Sequence, residues 1–326
     1  MQTYIKKHVY ISVIIPFFNE EGNIDELYQR LTSVLRNSGK TYELVFIDDG
    51  SKDNTFRKLS VLYDNDQYVR VIKLGRNYGQ SIALAAGFDH ACGEIIISMD
   101  GDLQHNPEEI PDFVKQIENG YEVVSGWRQK RKDNFLTRRL PSLIANRLIA
   151  KISGVKLHDF GTTFKAYRRE IIQNVRLYGE LHRFIPVLIS YTGASMIEIP
   201  IKSDLRVKGK SNYGLSRVFK VILDIIAVNF ITKYITKPLY IFGLIGLIFL
   251  GTGFLTILCL TIGWLFFGLN MVENRGLLLL SILCIITSVQ FITSGLVAEI
   301  ISRIYYESQN KRPYFVKELK TRKGVD

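Results

Sequence analysis

Two carboxylates, Asp100 and Asp102, stand one residue apart at the end of the apolar run in IIISMDGDLQHNPEE. Acids this close repel, so the pair costs energy or shifts a pKa unless something neutralises it. A divalent cation removes that cost. Mg²⁺ and Mn²⁺ favour oxygen ligands, and Mg²⁺ commonly takes one or two carboxylates together with substrate phosphates. Gly101 lets the backbone turn so that both acids approach one ion. Gln104 offers a carbonyl oxygen, and His105 is a weaker candidate ligand. An Asp-x-Asp alone says little; its place in the chain says more.

The apolar run before Asp100 reads as the fourth in a series of strands. A buried strand is expected from Ile11 to Ile15, stopped by Pro16, followed by Asn19, Glu20 and Glu21 and a helix from Ile24 to Leu35. A second strand, Glu43 to Ile47, leads to Asp48, Asp49 and Gly50, then to a helix opened by Asp53 or Asn54. A third leads to Arg76, Asn77 and Gly79, and Pro107-Glu108-Glu109 opens the helix after the fourth. Alternation of strand and helix with short connections predicts a mostly parallel, Rossmann-like α/β sheet with helices on its faces. Ligands of such sheets lie beyond the carboxyl ends of the strands, which is where the acids collect.

The chain has 326 residues, a net charge of +11 and 47% hydrophobic composition. Pro238 to Val272 and Gly276 to Ala298 contain no Asp, Glu, Lys or Arg. About 20 apolar residues cross roughly 30 Å of hydrocarbon, so both runs suffice for a membrane hairpin, with spans near 239–267 and 276–300. Lys233, Lys237, Arg303, Lys311 and Arg312 flank the hairpin, whereas Glu273 and Arg275 cancel in its turn. This bias puts the catalytic half and both termini in the cytoplasm. The start MQTYIKKHVYISVIIP lacks the pattern of a signal peptide. Cys92, Cys259 and Cys284 suggest no disulfide framework. The positive charge fits anionic headgroups and phosphorylated substrates; with two spans present, nucleic acid is not an expected partner. The expected organisation is a catalytic domain over 1–212, an amphipathic interfacial helix over 213–236, the hairpin over 237–302 and a cytosolic tail over 303–326.

The segments VIIPFFNEEGNI, LVFIDDGS, GRNYGQSIALAAGF and DGDLQHNPEEIP resemble the GT-A glycosyltransferases of family 2. DFGTTFKAYRREII, RVKGKSNYG and EIISRIYYESQNKRPYFV narrow the likeness to polyprenyl-phosphate sugar synthases with two spans. The resemblance implies an inverting, metal-dependent transfer from a nucleotide sugar to a polyprenyl monophosphate. UDP-glucose stands first among donors, ahead of GDP-mannose, UDP-N-acetyl sugars and UDP-aminoarabinose. It implies that Pro16, Phe17, Asn19, Glu20, Asp48, Asp49, Arg76, Gly79 and Asp100 border the nucleotide. Asp100, Asp102 and Gln104 would hold Mg²⁺ or Mn²⁺.

A lipid phosphate acceptor is already anionic, so it needs placement and cations more than a strong base. Arg128, Arg138, Arg139, Arg206 and Lys208 are the expected phosphate ligands, since guanidinium groups suit phosphate oxygens. Asp102, Asp159 and Arg128 are the expected catalytic residues; Asp159 could orient the acceptor, bind sugar hydroxyls or accept a proton. A processive polysaccharide synthase would show a Q-x-x-R-W motif and more spans, and neither is present. A non-enzymatic anchor or flippase does not account for acids at every strand end. Gly243, Gly246, Gly251 and Gly253 would permit close helix contacts, so a homo-oligomer is expected.

Overall fold

The structure is a computed structural model that describes residues 8–129, 140–175, 177, 181–202, 238–270 and 273–308. The chain divides into two compact units, Met1–Val228 and Asn229–Asp326. The first holds a seven-stranded sheet. Its first half alternates β1 (Ile11–Phe17), α1 (Ile24–Asn37), β2 (Tyr42–Asp48), α2 (Thr55–Asn65), β3 (Val69–Lys73), α3 (Gln80–His90) and β4 (Ile95–Ser98). Then follow α4 (Ile110–Glu118), β5 (Val123–Arg128), α5 (Leu140–Ser153), β6 (Lys165–Arg168), α6 (Arg169–Ile172), α7 (Ile185–Ser190) and β7 (Met196–Ile201).

The strand order is β3-β2-β1-β4-β6-β5-β7. All neighbours are parallel except β6, which runs antiparallel to both β4 and β5. The order reverses between β1 and β4, and a crevice opens at such a switch point beyond the strand ends. The loops after β1 and β4, carrying Asn19 and Asp100, flank it.

Strand side chains alternate between two apolar layers. Val13, Ile15, Phe17, Leu44 and Phe46 join one with Leu27, Leu31, Phe113 and Ile117. Ile14, Val45, Ile47 and Ile96 join the other with Leu84, Phe88 and Phe184. The helices earn their places by spacing: Ile24, Leu27, Leu31 and Leu35 fall on one face of α1, and all four are buried. Gly87 lets α3 press directly onto Ile14, with no room for a Cβ.

The expectation that Pro16 ends the first strand is corrected: β1 runs through it to Phe17, opposite Asp48. Pairing with β4 ends at Ile14 opposite Ser98, so Pro16 lies beyond that ladder and its missing amide hydrogen breaks nothing there.

The second unit holds α8 (Pro238–Phe267) and α9 (Arg275–Ser308). Their apolar spans, Pro238–Phe267 and Arg275–Ser302, have mean hydropathies of 2.4 and 2.2, and only 11% of an 18-residue apolar stretch in each is buried. A soluble core helix would be mostly covered; these present Leu247, Phe254, Phe266 and Ile300 outward. They are long and apolar enough to cross a membrane. Gly246 packs on Ile292 and the Ser288 carbonyl, and Gly253 on the Ser281 carbonyl and Ile285. These two of the four glycines expected to serve contacts between copies thus serve the hairpin itself. Gly268, at φ +66°, and the Leu269 amide bonded to the Gly263 carbonyl at 3.1 Å close α8. The interfacial helix expected over 213–236 lies outside the described residues. So does the tail beyond 308; its first residues, 303–308, continue α9.

Candidate active site

The side of the crevice formed by the loops after β1, β2 and β3 is a lattice of contacts. Asn19, at φ +55°, donates its backbone N–H to Ser51 Oγ at 3.0 Å and accepts the Lys52 amide on Oδ1 at 2.8 Å. Glu20 receives the Asn23 side-chain amide at 2.5 Å, and its own amide reaches Thr55 Oγ1 at 3.0 Å. The β1 and β2 loops are therefore one body. Asp49 accepts the amides of Tyr78 and Gly79 at 2.8 and 2.9 Å, which ties β2 to the start of α3. Gly50 lies against the Arg76 and Asn77 backbone, where a Cβ would fall 2.6 Å from the Asn77 nitrogen. Gly79 reaches φ +91°, a left-handed turn that glycine takes without strain. Arg76 is exposed and lies over the Tyr78 ring at 4.8 Å.

Asp48 differs from its neighbour. It is wholly buried, one oxygen accepts the Ser51 amide at 3.2 Å, and Oδ2 has no hydrogen-bond partner. A buried carboxylate oxygen left unmatched is costly, and at a crevice it marks a place for a ligand donor or water.

The 100–105 turn follows β4. Gly101 is required by packing, since a Cβ would lie 2.6 Å from the Phe17 ring. Leu103 takes φ +61°, a strained conformation for a leucine, which turns the chain sharply after Asp102. Asp102 accepts the Gln104 backbone amide at 3.1 Å, and Asp100 accepts from the Gln80 side chain at 2.5 Å. Gln104 thus fixes Asp102 through its backbone. His105 turns inward: Nδ1 lies 3.5 Å from the Asp100 amide and Nε2 3.4 Å from Thr162 Oγ1. Burial, helped by Arg128, lowers its pKa to about 4, so the ring is neutral near pH 7. The Asp100 N–H directed at Nδ1 assigns the ring proton to Nε2.

The 158–164 loop forms the opposite wall. Arg128, at the end of β5, donates to Asp159 through Nε at 2.7 Å and Nη2 at 3.0 Å. The side chains are 13% and 5% exposed, so this bidentate pair is largely dry. The expected phosphate cation and the expected loop carboxylate are one ion pair. Asp159 also receives the Gly161 amide at 3.1 Å. Glu198 on β7 accepts the His158 and Asp159 amides, the latter at 2.9 Å, and holds the His158 ring at 2.8 Å. Trp127 stacks on that ring at 4.4 Å. Arg138, Arg139, Arg206 and Lys208 lie outside the described residues.

His105 joins the acidic turn to this loop. The charged groups acting on His105 and on buried Lys165 are Asp100, Asp102, Asp159, Glu198 and Arg128. Among the described residues, and counted with Lys165, four acids face two bases, a formal charge of −2 that suits one divalent cation. Among the described residues no group of three or more His, Cys, Asp or Glu is arranged to hold a metal. Two carboxylates with the remaining ligands from phosphate and water is an ordinary Mg²⁺ arrangement. The residues present therefore fit such an ion.

Gln80, Glu198, Lys165 and His182 were not singled out in the sequence. His182 is buried against the first turn of α3, with Nδ1 2.8 Å from Ser81 Oγ and its amide 3.1 Å away. Burial lowers its pKa from 6.5 to about 3. The unfolded chain binds a proton near pH 6.5 that the folded chain refuses until pH 3, so stability falls as pH drops through that window. Between pH 7 and pH 5 the expected loss from this group is about 2 kcal/mol. Denaturant titrations of the detergent-solubilised chain check it: His182→Gln is expected to flatten the acid slope by that amount. An unchanged slope rejects the assignment.

The family description "Glycosyl transferase family 2" matches residues 12–176. Dodecaprenyl-phosphate galacturonate synthase of Rhizobium johnstonii is 38% identical over 315 residues, covering 95% of this chain and 92% of that protein. Undecaprenyl-phosphate 4-deoxy-4-formamido-L-arabinose transferase of Shewanella sediminis is 36% identical over 311 residues, with 95% and 92% covered. Among solved structures, glucosyl-3-phosphoglycerate synthase of Mycobacterium tuberculosis with Mn²⁺, UDP and phosphoglyceric acid superposes with a TM-score of 0.52. It is 20% identical, covers 68% of this chain and 78% of that one, and bears on the fold alone. A GT-A-like sheet with acids at its switch point, matched by this pattern and these relatives, makes the chain a glycosyltransferase that belongs to family 2.

Proposed function

We propose that this protein moves a sugar from a nucleoside diphosphate donor to a polyprenyl monophosphate at the cytoplasmic face of a membrane, with inversion and with a divalent cation. The observation that carries the reading is the joining, through His105 and Thr162, of the Asp100–Asp102 turn to the 158–164 loop whose Asp159 pairs with Arg128. One wall offers oxygen ligands and the other a cation. Both named relatives act on polyprenyl phosphates, and both align over nearly the whole chain, hairpin included.

Asp100, Asp102 and the Gln104 side chain would hold Mg²⁺ or Mn²⁺, which, when bound, supplies a Lewis acid for the charge that develops on the leaving diphosphate. Pro16, Asn19 and Glu20 border the nucleoside; Phe17, expected beside them, is buried in the core against Gly101 and supports the loop instead, and the unmatched Asp48 oxygen awaits a donor N–H or hydroxyl. Asp49 acts at one remove, holding the 76–79 loop through backbone amides. Arg128 presents positive charge to the acceptor phosphate, together with Arg138, Arg139, Arg206 and Lys208. Asp159 orients the guanidinium, and the anionic acceptor oxygen attacks without a strong base. The α8–α9 hairpin keeps the catalytic unit at the bilayer, where a polyprenyl phosphate holds its head.

The family resemblance puts UDP-glucose first as donor; the relatives add galacturonate and 4-deoxy-4-formamido-L-arabinose to the panel. Membranes carrying the chain are incubated with labelled UDP-glucose, UDP-galacturonate, UDP-4-deoxy-4-formamido-arabinose and GDP-mannose plus undecaprenyl phosphate. One donor is expected to label the lipid phase, and EDTA is expected to abolish that label. Long polymer in place of lipid-linked monosaccharide, or no transfer from any donor, overturns the reading.

A further inference from the structure

Lys165 is 1% exposed at the start of β6, opposite Ser98 at the end of β4 and Ser125 on β5. A lysine is rarely buried this fully without a carboxylate on its nitrogen. Here Nζ donates instead to two backbone carbonyls, those of Phe160, at 3.4 Å, and Thr162. These carbonyls flank Gly161, whose amide bonds Asp159, and Thr162 Oγ1 accepts the Phe164 amide at 3.2 Å and meets His105. The ammonium therefore closes the turn from inside. Asp159, Arg128, Asp100 and Glu198 all act on its charge.

We infer that Lys165 is a positioning residue whose buried ammonium, bonded to the Phe160 and Thr162 carbonyls, holds the 159–163 turn in the shape that presents the Arg128–Asp159 pair to the acceptor phosphate. The inference rests on the glycosyl-transfer reading proposed above. A hydrophobic side chain would fill the same space but leave both carbonyls unmatched, and the turn would be free to rearrange. An arginine keeps the charge and the donors.

The charge state follows from the surroundings. Burial lowers the Lys165 pKa from 10.5 to about 8; Asp159, Asp100 and Glu198 favour the charged form and Arg128 opposes it. The two histidines that feel it, His105 and His182, are neutral at that pH, and Arg183 acts on His182. The ammonium is thus present near pH 7 and is lost as pH rises through about 8. An amine donates weakly to carbonyls, so transfer declines on that limb. Arginine at this position remains charged throughout.

Two measurements on the full-length chain in detergent test this. The first is kcat against pH from 6.5 to 9.5 at saturating substrates for wild type and Lys165→Arg. The wild-type alkaline limb is expected near pH 8, and Lys165→Arg is expected to move it up by at least one unit. Acceptor ionisation is common to both proteins and cancels. The second is amide hydrogen exchange over 159–164 in Lys165→Met, expected to rise at least tenfold while exchange in β1 and β2 stays as in wild type. In that variant kcat is expected to fall at least tenfold with donor KM within twofold. An alkaline limb that stays put in Lys165→Arg, or unaltered 159–164 exchange in Lys165→Met, overturns the inference. Absence of transfer in the wild type refutes the glycosyl-transfer reading instead, and the exchange measurement still decides whether Lys165 holds the turn.

Discussion

Replacing Asp102 by asparagine lowers sugar transfer by at least about a thousandfold, a loss of roughly 4 kcal/mol of transition-state stabilisation. Asparagine keeps the size of the side chain and an oxygen that can accept the Gln104 amide, now 3.1 Å from the aspartate. The 100–105 turn is also pinned by Gly101 on Phe17 and by His105 on Thr162, neither of which the substitution touches. What disappears is one formal negative charge from a cluster whose excess suits a divalent ion. The variant is therefore expected to fold and insert as wild type does. Binding provides a second measure independent of turnover. A ligand that binds only the folded state raises the melting temperature by mass action. Mn²⁺ with UDP is expected to raise the melting temperature of wild type and to leave that of Asp102→Asn unmoved. Substantial turnover in the variant, or an undiminished Mn²⁺-dependent shift, removes Asp102 from the metal site.

The sheet was legible because its signal is local. Runs such as Ile95–Ser98 are apolar on both faces, as strands covered by two helix layers must be, and the turn acids follow directly. The switch point could be anticipated from the acids at successive strand ends, but strand order could not: the antiparallel insertion of β6 between β4 and β5 depends on long-range pairing. That insertion decides the site, since it brings Lys165 opposite Ser98 and the 158–164 loop over the 100–105 turn. Asp49 shows the opposite limit. Its motif reads as a ligand contact, and only the fold reveals that its oxygens also accept the Tyr78 and Gly79 amides, one each, which leaves each a further lone pair. Gln80 was hidden for the same reason, as an ordinary polar residue opening a helix until α3 is docked and its side chain meets Asp100. Glu198 left a faint trace, a lone acid among apolar residues in MIEIPI, the composition of a half-buried strand that needs a reason for a charge.

The Arg128–Asp159 pair carries the other large effect, and it separates energetics from chemistry. With side chains 13% and 5% exposed, removal of either partner takes the bidentate counter-charge from a group largely out of water. Such breakage costs about 3–5 kcal/mol, whereas removal of both costs much less because no charge is left unmatched. Arg128→Ala and Asp159→Ala are each expected to destabilise the catalytic unit by that amount, and the double variant by less than their sum, with a coupling of roughly 2–3 kcal/mol. Transfer activity is expected to follow a different order. If Arg128 is the group that meets the acceptor phosphate, the double variant regains stability without regaining activity, because the cation is still missing. Arg128→Lys sharpens the distinction: it retains the charge but loses the two-pronged geometry at 2.7 and 3.0 Å, so the acceptor KM is expected to rise at least tenfold while the donor KM changes little. Chemical denaturation of the four proteins forms the cycle, and initial rates at varied undecaprenyl phosphate and fixed donor supply the kinetics. Recovery of transfer in the double variant, in parallel with its stability, would make the ion pair a brace for the loop and take Arg128 out of contact with the acceptor. Additive stabilities would mean that the pair is solvated in solution and that its two charges are felt separately.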